Sequence, residues 1–452
     1  GTGEQKTGVY IDNGSISSTG SGANAGTISL TGTGGNGSSF NRGVFIYQAD
    51  VTSVDGDISF TGTGGGSYTS DEQQNHGVNL HESTVTSTGT GANAARITVN
   101  GTGGAGLDSN VAAYLFFTDI TSVDGAISLT GTGAGTVGSH NYGLILQGGS
   151  VESTGTGTEA ASITVDGTGG TGVGYNFGTF LVGGTLMTSI DGNISLSGQG
   201  GNGSGDGNIG TYLESGSEIY STGTGTDAAT ITITGTSGSS NYLGFGIKIT
   251  AESILSSVDG DILVQGIAGN GSGDLNTGLD INGADIISSG EGTDAATITL
   301  AGTGGSGTNS ARGVNLQNSS VTSIYGDITL TGQGGAASGD SNIGVNIQNT
   351  TVTSTGLGTN AAKINIAGTG GTGNNWKYGV NVSDALSNVS SVDGAITIVS
   401  QDDFILSFGA AIHSITGDIS VTADAAAGNN NKYFLMTEDT VINAGSGSIY
   451  LF

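Results

Sequence analysis

The sequence predicts an all-β fold: a right-handed parallel β-helix (a β-solenoid) of about fourteen coils, with three short strands per coil and short and long coils in alternation. Three observations predict it. An isoleucine motif returns at near-regular spacing along the whole chain. The apolar residues around it are spaced by two, the period of a strand. Glycine supplies 90 of the 452 residues, with no proline and no cysteine, so the chain is rich in corners and has no covalent staple.

The third strand of each coil is the clearest. Its isoleucine recurs as Ile28, Ile58, Ile97, Ile127, Ile163, Ile194, Ile231, Ile262, Ile298, Ile328, Ile364, Ile396, Ile419 and Ile449. The intervals alternate short and long as far as Ile396, which makes the unit a double coil of 66 to 69 residues. The last two intervals, 23 and 30, break this rule. The chain is therefore divided into a regular solenoid over 1–399 and variant coils over 400–452 that continue it. Two residues after each isoleucine stands a second large apolar residue, such as Leu30, Phe60, Val99 or Leu129, with Ser or Thr usually between them and facing outward. A second strand precedes this one, with Val51, Val85, Ile120, Val151, Ile219, Ile286, Val321 or Val352 facing in. The first strand carries pairs such as Val44/Ile46, Val78/Leu80, Leu144/Leu146, Val314/Leu316 and Val345/Ile347. Three such strands cannot bury their apolar faces alone. Stacked at about 4.8 Å per coil they bury them in one column, about 65 Å long for fourteen coils. The right hand follows from the general preference of parallel crossovers. No segment holds a 3.6-residue apolar period for three turns, so helix is not expected.

The alternation lies at the corner before the third strand. Short coils turn through Asp-Gly, as at Asp55-Gly56, Asp124-Gly125, Asp259-Gly260 and Asp393-Gly394. Long coils turn through a loop such as that from Ser87 to Ala95. Asp-Gly is expected to supply positive φ at the tight corner. Two explanations fit the alternation: it keeps stacked carboxylates about two coil spacings apart, which lowers their repulsion, or a duplicated double coil spread by recombination.

Composition excludes several functions. Lys and Arg total 8 against 37 Asp and Glu, a net charge of −29, so nothing would neutralise nucleic-acid phosphates. Zero cysteine removes disulfides, thiolate metal sites and a cysteine nucleophile. No apolar run of about 18 residues or signal-peptide pattern occurs, so no membrane span is expected. The chain opens mid-pattern at Gly8 to Ile11 and reads as a processed product or a segment of something longer.

Repeats of the type Gly313-Val314-Asn315-Leu316, Val321-Thr322-Ser323 and Gly326-Asp327-Ile328-Thr329-Leu330-Thr331-Gly332-Gln333-Gly334-Gly335 resemble the large repetitive surface proteins of bacteria, the filamentous-haemagglutinin-like adhesins and β-strand-repeat proteins. The resemblance covers essentially the whole chain. It implies an exported, elongated right-handed β-helix that serves as fibre, adhesin or sheath at the bacterial cell surface. The chain shows neither a secretion domain nor an anchor.

Candidate sites are few, and no catalytic, cofactor or metal residue is expected. Lys6, Arg42, Arg96, Lys248, Arg312, Lys363, Lys377 and Lys432 are scattered, and His76, His81, His140 and His413 share no spacing. A carbohydrate-cleaving β-helix would group such residues with carboxylates. The chain is read as a non-enzyme. Acidic residues in Gly-rich loops, at Gly200–Asp206, Gly269–Asp274 and Ser338–Asp340, supply one or two carboxylates each, short of a calcium shell. Weak, diffuse calcium binding along the acidic columns is expected instead. Aromatic residues precede the first strand at Phe40, Tyr68, Tyr142, Tyr175, Phe177, Tyr242, Trp376 and Tyr378, where they either cap coil corners or stack on sugars. The outward Ser/Thr column from Ser29 and Ser59 to Thr397 invites an ice-binding reading, but its neighbour column is mixed: Thr31, Asn100, Asp166, Ala301. The expectation is a structural extracellular protein, part of a bacterial surface fibre or sheath. The alternative is an adhesin that binds glycans through its aromatic loops. The expected partner is the chain itself, stacked end to end, or further coils of a longer polypeptide.

Overall fold

A computed structural model describes residues 5–66, 74–106, 108–135, 138–423 and 433–452. They form a β-solenoid: strands are parallel, no helix occurs among them, and about 13 turns are completed. The chain falls into two compact units, Gly1–Gly223 with Asp227–Ser240, and Thr224–Thr226 with Asn241–Phe452. Seven isoleucine strands lie in the first unit, from Ile28–Thr33 to Ile231–Thr236. Seven lie in the second, from Ile262–Ile267 to Ile449–Leu451.

Register follows the sequence motif. In the first unit Ile28 pairs with Ile58, Ile58 with Ile97 and Ile97 with Ile127; in the second Ile262 pairs with Ile298 and Ile298 with Ile328. Isoleucine thus stacks on isoleucine and fills the same gap in each layer, whereas the position two residues on mixes types, as where Val99 pairs with Phe60 and Leu129. One coil shows the whole core: Val44 and Ile46 from the first strand, Val51 from the second, and Ile58 and Phe60 from the third are all fully buried. Each such side chain contributes about 1.5–3 kcal/mol by leaving water. In two coils the first and second strands run together as single ten-residue strands, Ala113–Ser122 and Leu144–Ser153.

The expected isoleucine column is buried in every coil except the last, where Ile449 and Leu451 are about half exposed. The shortened interval of 23 also has a visible cause. Strand Ile396–Ser400 is followed after three residues by Phe404–Ser407, so the long loop that other coils carry at this point is missing.

In other coils the described residues of that loop run beside the next first strand, as where Arg42 lies over the outward ring of Phe45. In most of them a buried asparagine ties the loop to the neighbouring coil. In the first unit the carboxamide Oδ1 of Asn75 accepts both the backbone N–H and the Nδ2–H of Asn41 (2.9 and 3.0 Å). Asn110 Oδ1 accepts from Asn75 N–H, Asn141 Oδ1 from Asn110 Nδ2, Asn176 Oδ1 from Asn141 N–H, and Asn208 Oδ1 from Asn176. All six side chains are fully buried. In the second unit Asn276 and Asn342 play this part, accepting from the N–H of Gly244 and Ala311. The residue before the asparagine is left-handed, as at Phe40, His140 and Tyr175 (φ +57°, +62°, +54°), which turns that side chain outward.

The corners correct one expectation. Neither Asp nor Gly of the Asp-Gly pair has positive φ at Asp55, Asp124, Asp259 or Asp393. Glycine is required there by close approach: a methyl on Gly56 or Gly125 would sit 1.9 Å from the carbonyl oxygen of Gly26 or Ala95 in the neighbouring coil. Positive φ falls instead on one glycine of each long loop, Gly22, Gly91, Gly157, Gly225, Gly292 and Gly358.

Candidate functional site

The aspartates of the tight corners have a specific partner. Asp55 Oδ2 accepts the N–H of the left-handed Gly22 in the preceding long loop (2.5 Å). The bond repeats between Asp124 and Gly91, Asp191 and Gly157, Asp259 and Gly225, and Asp393 and Gly358, at 2.6–2.7 Å. For Asp393 this bond, with one from Thr416, holds the carboxyl below its ordinary value. The aspartate that follows the corner glycine acts likewise: Asp57, Asp261 and Asp327 accept the N–H of Arg96, Thr297 and Lys363 at 2.8–3.0 Å. Tight corner and long loop thus fit each other as donor and acceptor, a third reason for their alternation beside the two read from sequence.

Among the corners that face a long loop, the series breaks at one. At the corner Ile324-Tyr325-Gly326 a tyrosine stands where the sister corners have aspartate. Two adjoining cavities open there, of about 540 and 240 Å³, which share Gly292, Tyr325, Thr359 and Asn360 in their walls.

The loop aromatics are largely engaged with one another in the first unit. Tyr10 stacks on Phe45 at 5.1 Å, His140 on Tyr175 at 5.3 Å, and Phe180 on Tyr212 at 5.1 Å; Phe177 meets Tyr142, Phe180 and Tyr212 edge-on or tilted. Burial pushes the Tyr142 hydroxyl up. Arg42 lies over the rings of Phe45 (4.2 Å) and Phe40 (5.3 Å), and a cleft of about 480 Å³ opens beside them, lined also by Gln5, Thr7 and Tyr10. Tyr175, Tyr242 and Trp376 are 40–55% exposed. Tyr378 is half-buried, with its hydroxyl raised by burial and by Asp403. Tyr68 and Lys432 lie outside the described residues.

The second unit replaces rings by amides on the same strand face. Asn346 donates to Asn315, Asn381 to Asn346, and Asn315 to the buried Asp280 (2.6–2.8 Å). Arg312 also donates to Asn315 (2.6 Å). Burial raises the Asp280 carboxyl and lowers the Arg312 guanidinium, each opposed by the other's charge.

The histidines stay apart. His76 is fully buried, its Nδ1 accepts the N–H of Val111 (3.3 Å), and burial with the nearby Arg42 holds its pKa down to about 3. His81 ends strand Val78–His81 beside Glu82 (3.8 Å). His140 is the ring under Tyr175, and His413 sits on strand Ala411–Ser414. The Gly-rich acidic loops are occupied as well: Asp274 Oδ1 accepts from Asn309 N–H and Nδ2, and Asp340 Oδ1 from Asn375 in the same way (2.9–3.1 Å). Among the described residues no three His, Asp or Glu side chains come together as a metal site. No helix is long and apolar enough to cross a membrane.

No family model, no curated protein and no solved structure matches this chain. Sequence reasoning overlooked the asparagine ladder and the Asp–Gly ties, although each recurs at a fixed offset, and it passed over Tyr325.

Proposed function

We propose that the chain is a structural, extracellular segment of a bacterial surface fibre or sheath, of the kind that its repeats resemble. One observation supports this above others: what the repeat holds constant joins each coil to the next. Isoleucine register, asparagine ladder and Asp–Gly tie all run between coils, and none is directed at a ligand. Such a protein needs an inert stack that resists local opening, and non-enzymatic use follows from it. The natural neighbour of such a stack is more of the same, in a second copy or in a longer polypeptide. Electron microscopy and light scattering on the purified chain test this, together with antibody labelling of intact cells that produce it. Filaments and surface label are expected. A monodisperse monomer confined to the cell interior would overturn the reading.

A second reading, a glycan-binding adhesin, is favoured by the solvent-facing rings of Tyr175, Tyr242 and Trp376. Loss of cell adhesion in a Tyr175→Ala, Tyr242→Ala, Trp376→Ala triple variant would support it, and unchanged adhesion would remove it.

A further inference from the structure

The five Asp–Gly ties define what the sixth corner lacks. In the sister corners the carboxylate spans two long loops. Its Oδ2 takes the N–H of the preceding loop's glycine, and its Oδ1 lies against the following loop, where a methyl on Gly89, Gly155 or Gly290 would come within 2.3–2.4 Å of it. At Tyr325 the ring takes over only the second contact: a methyl on Gly356 of the following loop would lie 3.1 Å from its Cδ1. The preceding loop is released. Gly292 has φ +106°, whereas its tied counterparts hold +75° to +80°. The N–H that elsewhere meets a carboxylate has no acceptor from this corner, and the cleft opens between the two loops.

We propose that this cleft is a binding subsite for a neutral saccharide, one sugar ring lying on Tyr325. The walls carry what a pyranose requires. A half-buried aromatic ring in the cleft wall offers a face to the sugar's C–H groups. Hydroxyls of Thr293 and Thr359 and the carboxamide of Asn360 stand around it, with Lys363 and the acids Glu291 and Asp327 at the rim. The Gly292 N–H donates to a sugar oxygen in place of the aspartate. Asp327 already uses Oδ1 on the Lys363 N–H, so its other oxygen accepts from a sugar hydroxyl. The combined volume suits one or two rings. Two acids at the rim of a chain with net charge −29 disfavour an anionic sugar. The inference goes beyond the scaffold role and is independent of it. It also concerns a different corner from the loops that bear Tyr175, Tyr242 and Trp376.

The test uses the whole chain and three variants. Titration calorimetry and saturation-transfer NMR would be run with cellotetraose, mannotetraose, galactotetraose and chitotetraose, with trigalacturonate as the charged control. The wild type is expected to bind at least one neutral probe with Kd on the order of 1 mM. Tyr325→Asp remakes the tie seen in five sister corners. It should melt no lower than wild type and bind at least ~10-fold more weakly. Tyr325→Phe should keep binding within a few-fold, and Thr232→Ala, on strand Ile231–Thr236 of the other unit, should leave it unchanged. The proposal is overturned if no neutral probe binds, if binding survives in Tyr325→Asp, or if trigalacturonate binds more tightly than the neutral probes. It is also overturned if Tyr325→Asp melts below wild type, since the corner would then not be a vacated carboxylate seat. Filament formation is read separately, so failure here leaves the scaffold reading standing.

Discussion

Asn208 illustrates how a single side chain holds neighbouring coils together. Its Oδ1 serves both the N–H and the Nδ2–H of Asn176, while its own Nδ2 donates to the carbonyl of Ser239. Asn208→Ala strands those donors in a buried site, where each unsatisfied group costs about 1–3 kcal/mol. The expected loss is ~2–3 kcal/mol, measured by guanidinium unfolding, with strand content unchanged. His76 makes a prediction about pH. Its folded pKa of about 3 lies below that of a free imidazole, about 6.5. The unfolded chain therefore takes up the proton first. This residue's contribution is complete above about pH 6.5 and declines as pH falls toward 3. His76→Gln should flatten that acid limb in unfolding midpoints taken between about pH 4.5 and 7.5, and an unaltered limb would show that other groups control it.

At the scale of the coil, the corner serines divide into two sets. In tight corners Ser53, Ser122, Ser189, Ser257 and Ser323 donate to the carbonyl of the corner glycine, as Ser122 does to Gly125 (2.5 Å). In long-loop coils the buried hydroxyls of Ser87, Ser153, Ser221, Ser288 and Ser354 have no partner. Two serines depart from this division: Ser391, at the tight Asp393 corner, has no partner, and Ser18, in the first long-loop coil, donates to the Gly26 carbonyl. Ser122→Ala should cost about 1 kcal/mol, and Ser153→Ala should be neutral or slightly stabilising. Equal effects would remove the distinction. The same coil shows how far its sequence can be read. The Ile-x-Leu strands were legible because a buried two-residue period at fixed intervals has only one stacking solution. The asparagine ladder was not, because Asn41, Asn75, Asn110 and Asn141 sit among Asn, Gly and Ser residues that composition alone explains. Its meaning emerges only when the loop is seen tied to a neighbouring coil. Asp55 and Asp124 were read as turn formers since Asp-Gly is a turn signal. Their real partners, Gly22 and Gly91, are 33 residues away, beyond any local pattern. Tyr325 was visible as the odd member of the Asp-Gly series, but a departure has no chemical meaning until the rule it breaks is known.

For the whole molecule, charge decides the response to ions. With −29 net charge and its loop carboxylates occupied by backbone and amide donors, the chain should gain from screening rather than from site binding. Millimolar calcium is expected to raise Tm by about 2–4 °C. Magnesium should act about equally, and calorimetry should show no saturable stoichiometry. Tight binding at a fixed ratio would instead place a calcium site that the coil-to-coil bonds do not account for.

The Asp–Gly tie also imposes a parity on insertions and deletions. A tight corner needs a long loop before it, so length can change freely only in pairs of coils. Excising residues 98–163 would join Ile97 to Thr164 and bring Gly91 to Asp191 in place of Asp124. Excising 98–127 alone would set two long loops side by side and leave Gly91 without an acceptor. The first deletion should fold with wild-type cooperativity, and the second should unfold in two steps or not fold. The opposite case occurs toward the C-terminal end, where tight corners follow one another at Asp393, Thr416 and Ser446. Where two tight corners do meet, the second carries Thr416 instead of aspartate, and its hydroxyl donates to Asp393 Oδ1 at 2.5 Å. A chain that grows by odd steps must therefore rewrite its corner residue, so Thr416 marks a change of frame in an otherwise two-beat repeat.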